Sequence, residues 1–173
     1  MPTVPKPKNE ATRLIAVHDT QLLDTPPDPD FDGIAELAAA ICRTPMAMIS
    51  LVDSDRQWFK AKVGLSFCQT PRKHAFCAQT ICGTEPFIVE DASLDPRTRD
   101  NPYVTREPYL RFYAGIPLID SAGNALGSLC VLDTQPRRLS DDQIEHLQTL
   151  ARATVTRIEV DRLTRWLLNA ITQ

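Results

Sequence analysis

Cys68, His74, Cys77 and Cys82 fall within fifteen residues of one another. Thiols beside an imidazole are the materials of zinc sites and of activated cysteine nucleophiles. On a helix His74 and Cys77 (i, i+3) share a face that one ion could reach. Cys82 lies five residues beyond Cys77 and is rotated off that face, and no C-x-x-C pair occurs. The spacing therefore favours ordinary core thiols over a metal site, and no metal or cofactor is expected. A reactive thiol would need cations beside it, and only Arg72, Lys73 and His74 offer them. The five cysteines (42, 68, 77, 82 and 130) are an odd, scattered set. They suggest no disulfide framework and fit a reducing, cytoplasmic location.

The second stretch with chemical potential is EDASLDPRTRDNPYVTREP, Glu90 to Pro108. It is polar, interrupted by proline and rich in Asp and Arg. A long irregular segment of this kind inside a compact domain reads as a binding loop or lid.

Both stretches need a scaffold, and the apolar pattern supplies one. Leu110 to Asp133 (LRFYAGIPLIDSAGNALGSLCVLD) holds two strand-like runs, Tyr113–Ile119 and Ala125–Leu132, joined by the turn Asp120–Asn124. Both runs are apolar on both faces, as in a sheet centre covered on two sides. Met46–Val52 and Arg56–Val63 read as a second hairpin across Asp53–Asp55, Gly64–Arg72 as a loop, and Pro86–Val89 as a short strand. Helices are predicted over Glu10–Leu23, over Phe31–Cys42 with Asp30 as N-cap, and over Ala75–Cys82 with Gly83 at its end. DTPPDPD (Asp24 to Asp30) separates the first two. Ser140 to Gln143 form a capping box that opens a helix running to about Leu168. That helix exceeds what one small sheet needs, so its second half is expected to pack on a second copy of the chain. Tight turns between strands and helices at both ends predict an α+β fold: a central antiparallel sheet of five or six strands with helices packed on a face.

A hydrophobic fraction of 43% suits one core, and a net charge of −3 leaves no electrostatic footprint for nucleic acid. No apolar run approaches the ~20 residues of a membrane span. Neither nucleic acid nor membrane is an expected partner. Residues 1–9, rich in Pro and Lys, read as a disordered lead-in.

Six ordered segments carry a family resemblance. They are LLDTPPDPDFD (Leu22 to Asp32), ISLVDSDRQWFKAKVGL (Ile49 to Leu65), FCAQTI (Phe76 to Ile81), VEDASLDPRTRDNPYV (Val89 to Val104), RFYAGIPL (Arg111 to Leu118) and LGSLCVLDTQPRRLS (Leu126 to Ser140). Over roughly residues 10–160 the chain resembles the GAF domain family, in a bacterial branch found upstream of histidine kinase, diguanylate cyclase or phosphodiesterase modules. The resemblance implies a GAF/PAS-like sheet with the N- and C-terminal helices on one face and a loop-covered pocket on the other. It assigns residues 10–160 to the GAF domain and 161–173 to an extension of a signalling or dimerisation helix. None of those output modules is recognisable in the sequence, so the resemblance leaves open action alone or as an N-terminal piece. Where the branch usually has His, this chain has Gln79, which removes an imidazole but keeps a hydrogen-bonding side chain.

The implied function is non-catalytic sensing of a small molecule in bacterial signal transduction, of the two-component or cyclic-di-GMP kind. A homodimer through the terminal helices and a histidine kinase or diguanylate cyclase module are the implied partners. The pocket residues expected from the resemblance are Arg72, Phe76, Cys77, Gln79, Asp91, Asp95, Arg97, Asn101, Arg111 and Tyr113, with Trp58 and Phe112 as further aromatic walls. Arg56, Arg97 and Arg111 have an alternative role as ion-pair partners of Asp53, Asp91 or Asp95 that pin the long loop. Other activities within the family stay open. Free methionine-(R)-sulfoxide reductases use cysteines, and Cys68 and Cys77 have a suitable separation, but Tyr109 and Leu110 occupy the stretch where that family places another cysteine. Bilin attachment commonly uses Cys-His, which is absent here. No glycine-rich loop singles out a cyclic-nucleotide cradle. A ligand-free dimerisation scaffold is the remaining alternative.

Overall fold

A computed structural model describes residues 5–172. Its centre is a six-stranded, wholly antiparallel sheet of order β3-β2-β1-β6-β5-β4. The strands are β1 (Met46–Val52), β2 (Arg56–Val63), β3 (Gln69–Pro71), β4 (Phe87–Val89), β5 (Phe112–Ile119) and β6 (Ala125–Asp133). The α+β architecture and the two hairpins expected from the apolar runs are present. β3 was not expected: three residues with no alternation leave no pattern to detect, yet Gln69–Pro71 pair with Trp58, Gln57 and Arg56.

Strand periodicity sorts the core into two layers. Ala47, Ile49 and Leu51 of β1, with Phe112, Ala114, Ile116 and Leu118 of β5, face the helices. Met46, Met48 and Val52, with Tyr113, Cys130 and Leu132, face the other way. α1 (Glu10–Asp19), α2 (Pro29–Cys42) and the first half of α5 (Asp141–Ile171) cover the first face. α3 (Cys77–Thr80) and the excursion that contains α4 (Pro102–Thr105) cover the second. The terminal helices thus lie opposite the loop-covered face.

Helix ends follow local chemistry. α1 stops at Asp19, short of the expected Leu23, and Gln21 and Asp24 beyond it take left-handed φ values of 52° and 61°. α2 starts two residues earlier than expected: Asp28 is its cap, accepting from Asp30 N at 2.9 Å, with Pro29 in the first turn where its missing N–H costs nothing. α3 is shorter than Ala75–Cys82, because a 3-10 turn over Arg72–His74 and an extended Ala75 precede it. The Ser140/Gln143 capping box opens α5. Of the expected lead-in 1–9, residues 1–4 lie outside the described residues.

Candidate functional site

The loop-covered face encloses a cavity of about 130 Å³. β1 sends Met46 and Met48 into it, β2 sends Gln57 and Phe59, and β5 and β6 send Tyr113 and Leu132. Leu65, Phe67 and Thr70 close one side, and the run from the 3-10 turn into α3 adds His74, Ala75, Phe76 and Cys77. The excursion roofs it with Tyr103, Glu107, Pro108 and Leu110. Phe76 and Tyr113 stack tilted at 5.2 Å between centroids. Gly115 makes room for this: a Cβ there would stand 2.2 Å from the Tyr113 hydroxyl and 2.7 Å from Thr80 Oγ1.

Gln57, Thr70 and His74 bring polar side chains to the cavity. Gln57 and Thr70 are direct partners across the β2–β3 ladder, and His74 follows four residues later. Gln57 donates weakly to Met48 Sδ at 3.6 Å. Its carbonyl oxygen, Thr70 Oγ1 and His74 Nδ1 have no hydrogen-bond partner in the protein. They are the only buried side-chain polar atoms so placed among the described residues, and all three belong to this one cavity. Burial, with the nearby Lys73 charge, pushes the His74 pKa below its usual 6.5, so the imidazole is neutral at pH 7. Burial pushes the Tyr103 phenol up.

Of the ten residues expected at the pocket, Phe76, Cys77 and Tyr113 line this cavity, and the other seven do not. Arg72 is buried but points away, donating to Asp53 O at 2.9 Å and to the Glu10 carboxylate. Gln79 donates to Arg97 O at 3.3 Å. Asp91 accepts from Ser93 N, and Asp95 accepts from Arg97, whose guanidinium covers the Phe87 ring at 4.7 Å. Asn101 caps α4 and donates to His74 O at 2.9 Å. Arg111 donates to Val104 O and Leu110 O. Five of these polar residues, from Asp91 to Arg111, brace the excursion from within. The cavity is apolar and could not solvate their charges. Trp58 and Phe112 face the helices and lie in the opposite core layer.

Sequence reasoning missed Gln57, Thr70, His74 as a pocket residue, and the two methionines. The alternation of Met46 and Met48 against Ala47 and Ile49 was the available signal for the methionines. The pairing of Gln57 with Thr70 needed the unexpected β3.

The thiols separate by depth. Cys68 and Cys82 are exposed, while Cys42, Cys77 and Cys130 are buried. Cys77 Sγ lies 3.8 Å from Cys130 Sγ and accepts from Tyr113 Oη at 3.3 Å, and that hydroxyl meets Thr80 Oγ1 at 2.7 Å. Burial pushes the Cys77 pKa up, but hydrogen bonds from Cys130, Ser128, Ser50 and Tyr113 outweigh it and bring it to about 7; burial and the neighbouring Cys77 push Cys130 well up. Among the described residues no group of three His, Cys, Asp or Glu side chains converges for a metal ion.

Comparison with known proteins places this geometry. The sequence profile of the GAF domain matches residues 26–158. A cyclic di-GMP phosphodiesterase of Pseudomonas aeruginosa is 45% identical over 168 residues, which is 96% of this chain and 29% of that protein. The chain therefore spans under a third of that relative's length. The GAF domain of an Acinetobacter phosphoenolpyruvate-protein phosphotransferase superposes with a TM-score of 0.64 at 19% identity, covering 88% of this chain and 93% of the other. Free methionine-R-sulfoxide reductase from Neisseria meningitidis, solved with its substrate, gives a TM-score of 0.64 at 19% identity over 87% and 89% of the two chains. At these identities the two structures establish a shared fold.

Proposed function

We propose a sensing role for this chain, which belongs to the GAF domain family: it is a non-catalytic regulatory domain that couples a small molecule in the cavity to the packing of its terminal helices. One observation carries the reading. The wall of the cavity is tied to the helix on the opposite face: Arg72, two residues before His74, grips Glu10 at the start of α1. From α1 the connection continues, because His18 pairs with Asp53 at 2.9 Å and Arg165 of α5 donates to Thr20 O. A ligand that alters the 3-10 turn thereby acts on both terminal helices, provided that it binds two helix arrangements unequally.

The domain occupies residues 10–160, and the part of α5 beyond it, up to Ile171, serves as a dimerisation helix. Support comes from α5 itself. Ile158 is buried, whereas Leu163, Trp166, Leu167 and Ile171 beyond it are all more than half exposed. Their spacing makes an apolar stripe of the kind two copies bury together. The output partner is a covalently linked or associated signalling module, a reading favoured by the phosphodiesterase relative. No helix among the described residues is long and apolar enough to cross a membrane, and a cytoplasmic site of action fits the free thiols.

Native mass spectrometry on protein purified from a bacterial host, followed by hydrogen exchange with and without the co-purifying molecule, tests the proposal. Expected are a dimer with bound small molecule and altered exchange in α1 and in α5 beyond Ile158. A ligand that leaves both helices unchanged refutes the coupling.

A further inference from the structure

We infer that the cavity takes a small uncharged molecule with one aromatic ring and a hydroxyl or N–H donor, a phenol-like ligand, with its donor toward Gln57 and Thr70. The inference rests on the sensing reading and names the chemistry of the ligand.

Size comes first. A cavity of ~150 Å³ holds a benzene ring, and this one measures about 130 Å³. A single ring with a short substituent is the scale that fits. The walls favour an aromatic ring over an aliphatic one: Phe59, Phe76 and Tyr113 offer edges and faces, and Met46 and Met48 offer polarisable sulfur.

Charge decides the next step. No Lys or Arg lines the cavity, because Arg72, Arg97 and Arg111 are all spent on carboxylates or backbone carbonyls elsewhere. His74 is neutral at pH 7, and Glu107 is exposed at the edge. A carboxylate or phosphate placed here would lose its hydration and find no counter-charge. A cationic ligand would find only Glu107 at the rim.

The orphaned atoms set the remaining requirement. Gln57 Oε1 is an acceptor only, on a side chain that is 3% exposed, and Thr70 beside it is 8% exposed. A buried acceptor without a partner is costly, so a ligand that brings a donor to it is preferred over its apolar isostere. Thr70 Oγ1 and His74 Nδ1 accept or donate as the ligand demands.

The test titrates the 173-residue chain with phenol, toluene, benzoate and cyclic GMP, followed by two-dimensional NMR. Phenol is expected to bind about fivefold or more tighter than toluene, the smallest effect of leaving a buried acceptor unpaired. Benzoate and cyclic GMP are expected to bind at least about tenfold more weakly than phenol, or not at all. Gln57→Leu should erase the preference of phenol over toluene while leaving toluene within about twofold. Thr70→Val supplies the same readout should Gln57→Leu fail to fold. Equal binding of benzoate or cyclic GMP overturns the uncharged class, and equal binding of toluene overturns the donor; either leaves cavity-based sensing standing. If none of the four binds, toluene included, the ligand class falls. If native mass spectrometry also finds no bound molecule, the sensing reading falls with it.

Discussion

Replacing Glu10 by Gln tests the joint between the cavity wall and α1. Arg13 is fully buried and Arg72 nearly so, and the Glu10 carboxylate is their shared counter-ion. Arg13 also donates to Val52 O at 2.7 Å and Ala125 O at 3.3 Å, which fixes α1 across the hairpin ends. Burial pushes the Glu10 carboxyl up, but the hydrogen bonds and charges of Arg72 and Arg13 outweigh it and hold its pKa at about 2. A carboxyl moved from 4.5 to about 2 on folding contributes about 3 kcal/mol at pH 7. The folded pKa is depressed, so this stability is present above pH 4.5 and lost as the pH falls from there toward 2. At pH 3 about 1.5 kcal/mol of it remains. Urea denaturation of wild type and Glu10→Gln at pH 7 and pH 3 reads both numbers. Expected is a loss of about 3 kcal/mol at pH 7 that shrinks to about half at pH 3. A loss below about 1 kcal/mol at both pH values would mean that the three charges behave as a solvated surface cluster, and the joint between the 3-10 turn and α1 would not exist.

Four further outcomes follow from the geometry. Gly115→Ala should cost about 1–3 kcal/mol in chemical denaturation, because its methyl meets the buried Tyr113 hydroxyl, and it should also weaken phenol binding; an unchanged midpoint would show that Tyr113 moves freely. Thiol titration of the native protein should label Cys68 and Cys82 at once and Cys42, Cys77 and Cys130 only on unfolding; rapid labelling of Cys77 would reopen the thiol-enzyme alternative. Free methionine sulfoxide should show no thiol-dependent turnover, since its carboxylate finds no Lys or Arg in the cavity; turnover lost in Cys77→Ser would refute the non-catalytic reading. Leu163→Glu combined with Trp166→Glu should convert a dimer to monomer in sedimentation while leaving the circular dichroism of the domain intact, because both side chains are solvent-exposed; an unaltered sedimentation coefficient removes the α5 extension from the interface.

The legible parts of the fold were those in which hydrophobic period and turn chemistry agree. The Tyr113–Ile119 and Ala125–Leu132 runs appear as β5 and β6 within a residue at their ends, and Met46–Val52 and Arg56–Val63 coincide with β1 and β2. The two-faced sheet followed from their lack of a polar side. The site was far less legible. Arg97, Asp95 and Asn101 attract notice as polar residues in a long loop, yet their hydrogen bonds run to neighbours two residues away or to backbone carbonyls. A sequence does not distinguish a charge that recognises a ligand from one that folds a loop, since both need the same residue types. Gln57 and Thr70 sit in different strands and are thirteen residues apart, so only the β2–β3 register brings them together. Cys77 and Cys130 likewise meet across 53 positions.

The geometry also limits how strongly the cavity can drive the helices. A ligand shifts the helix equilibrium only by the difference in its affinity for two arrangements. In the proposed coupling that difference passes through the segment Arg72–Cys77, which carries the Glu10 pair at one end and the cavity wall at the other. Asn101 anchors the same segment to the excursion by donating to His74 O, so the roof and the wall move together. One ring and one hydrogen bond support a coupling of about 1–3 kcal/mol. That range suffices to bias a dimer already poised between two packings, but it cannot assemble one. Phenol should therefore alter hydrogen exchange in α1 and α5 without changing the sedimentation coefficient, and Glu10→Gln should abolish the exchange effect while phenol still binds. Retention of the effect in Glu10→Gln would route the signal through the sheet instead, and the Arg72–Glu10 contact would be purely a matter of stability.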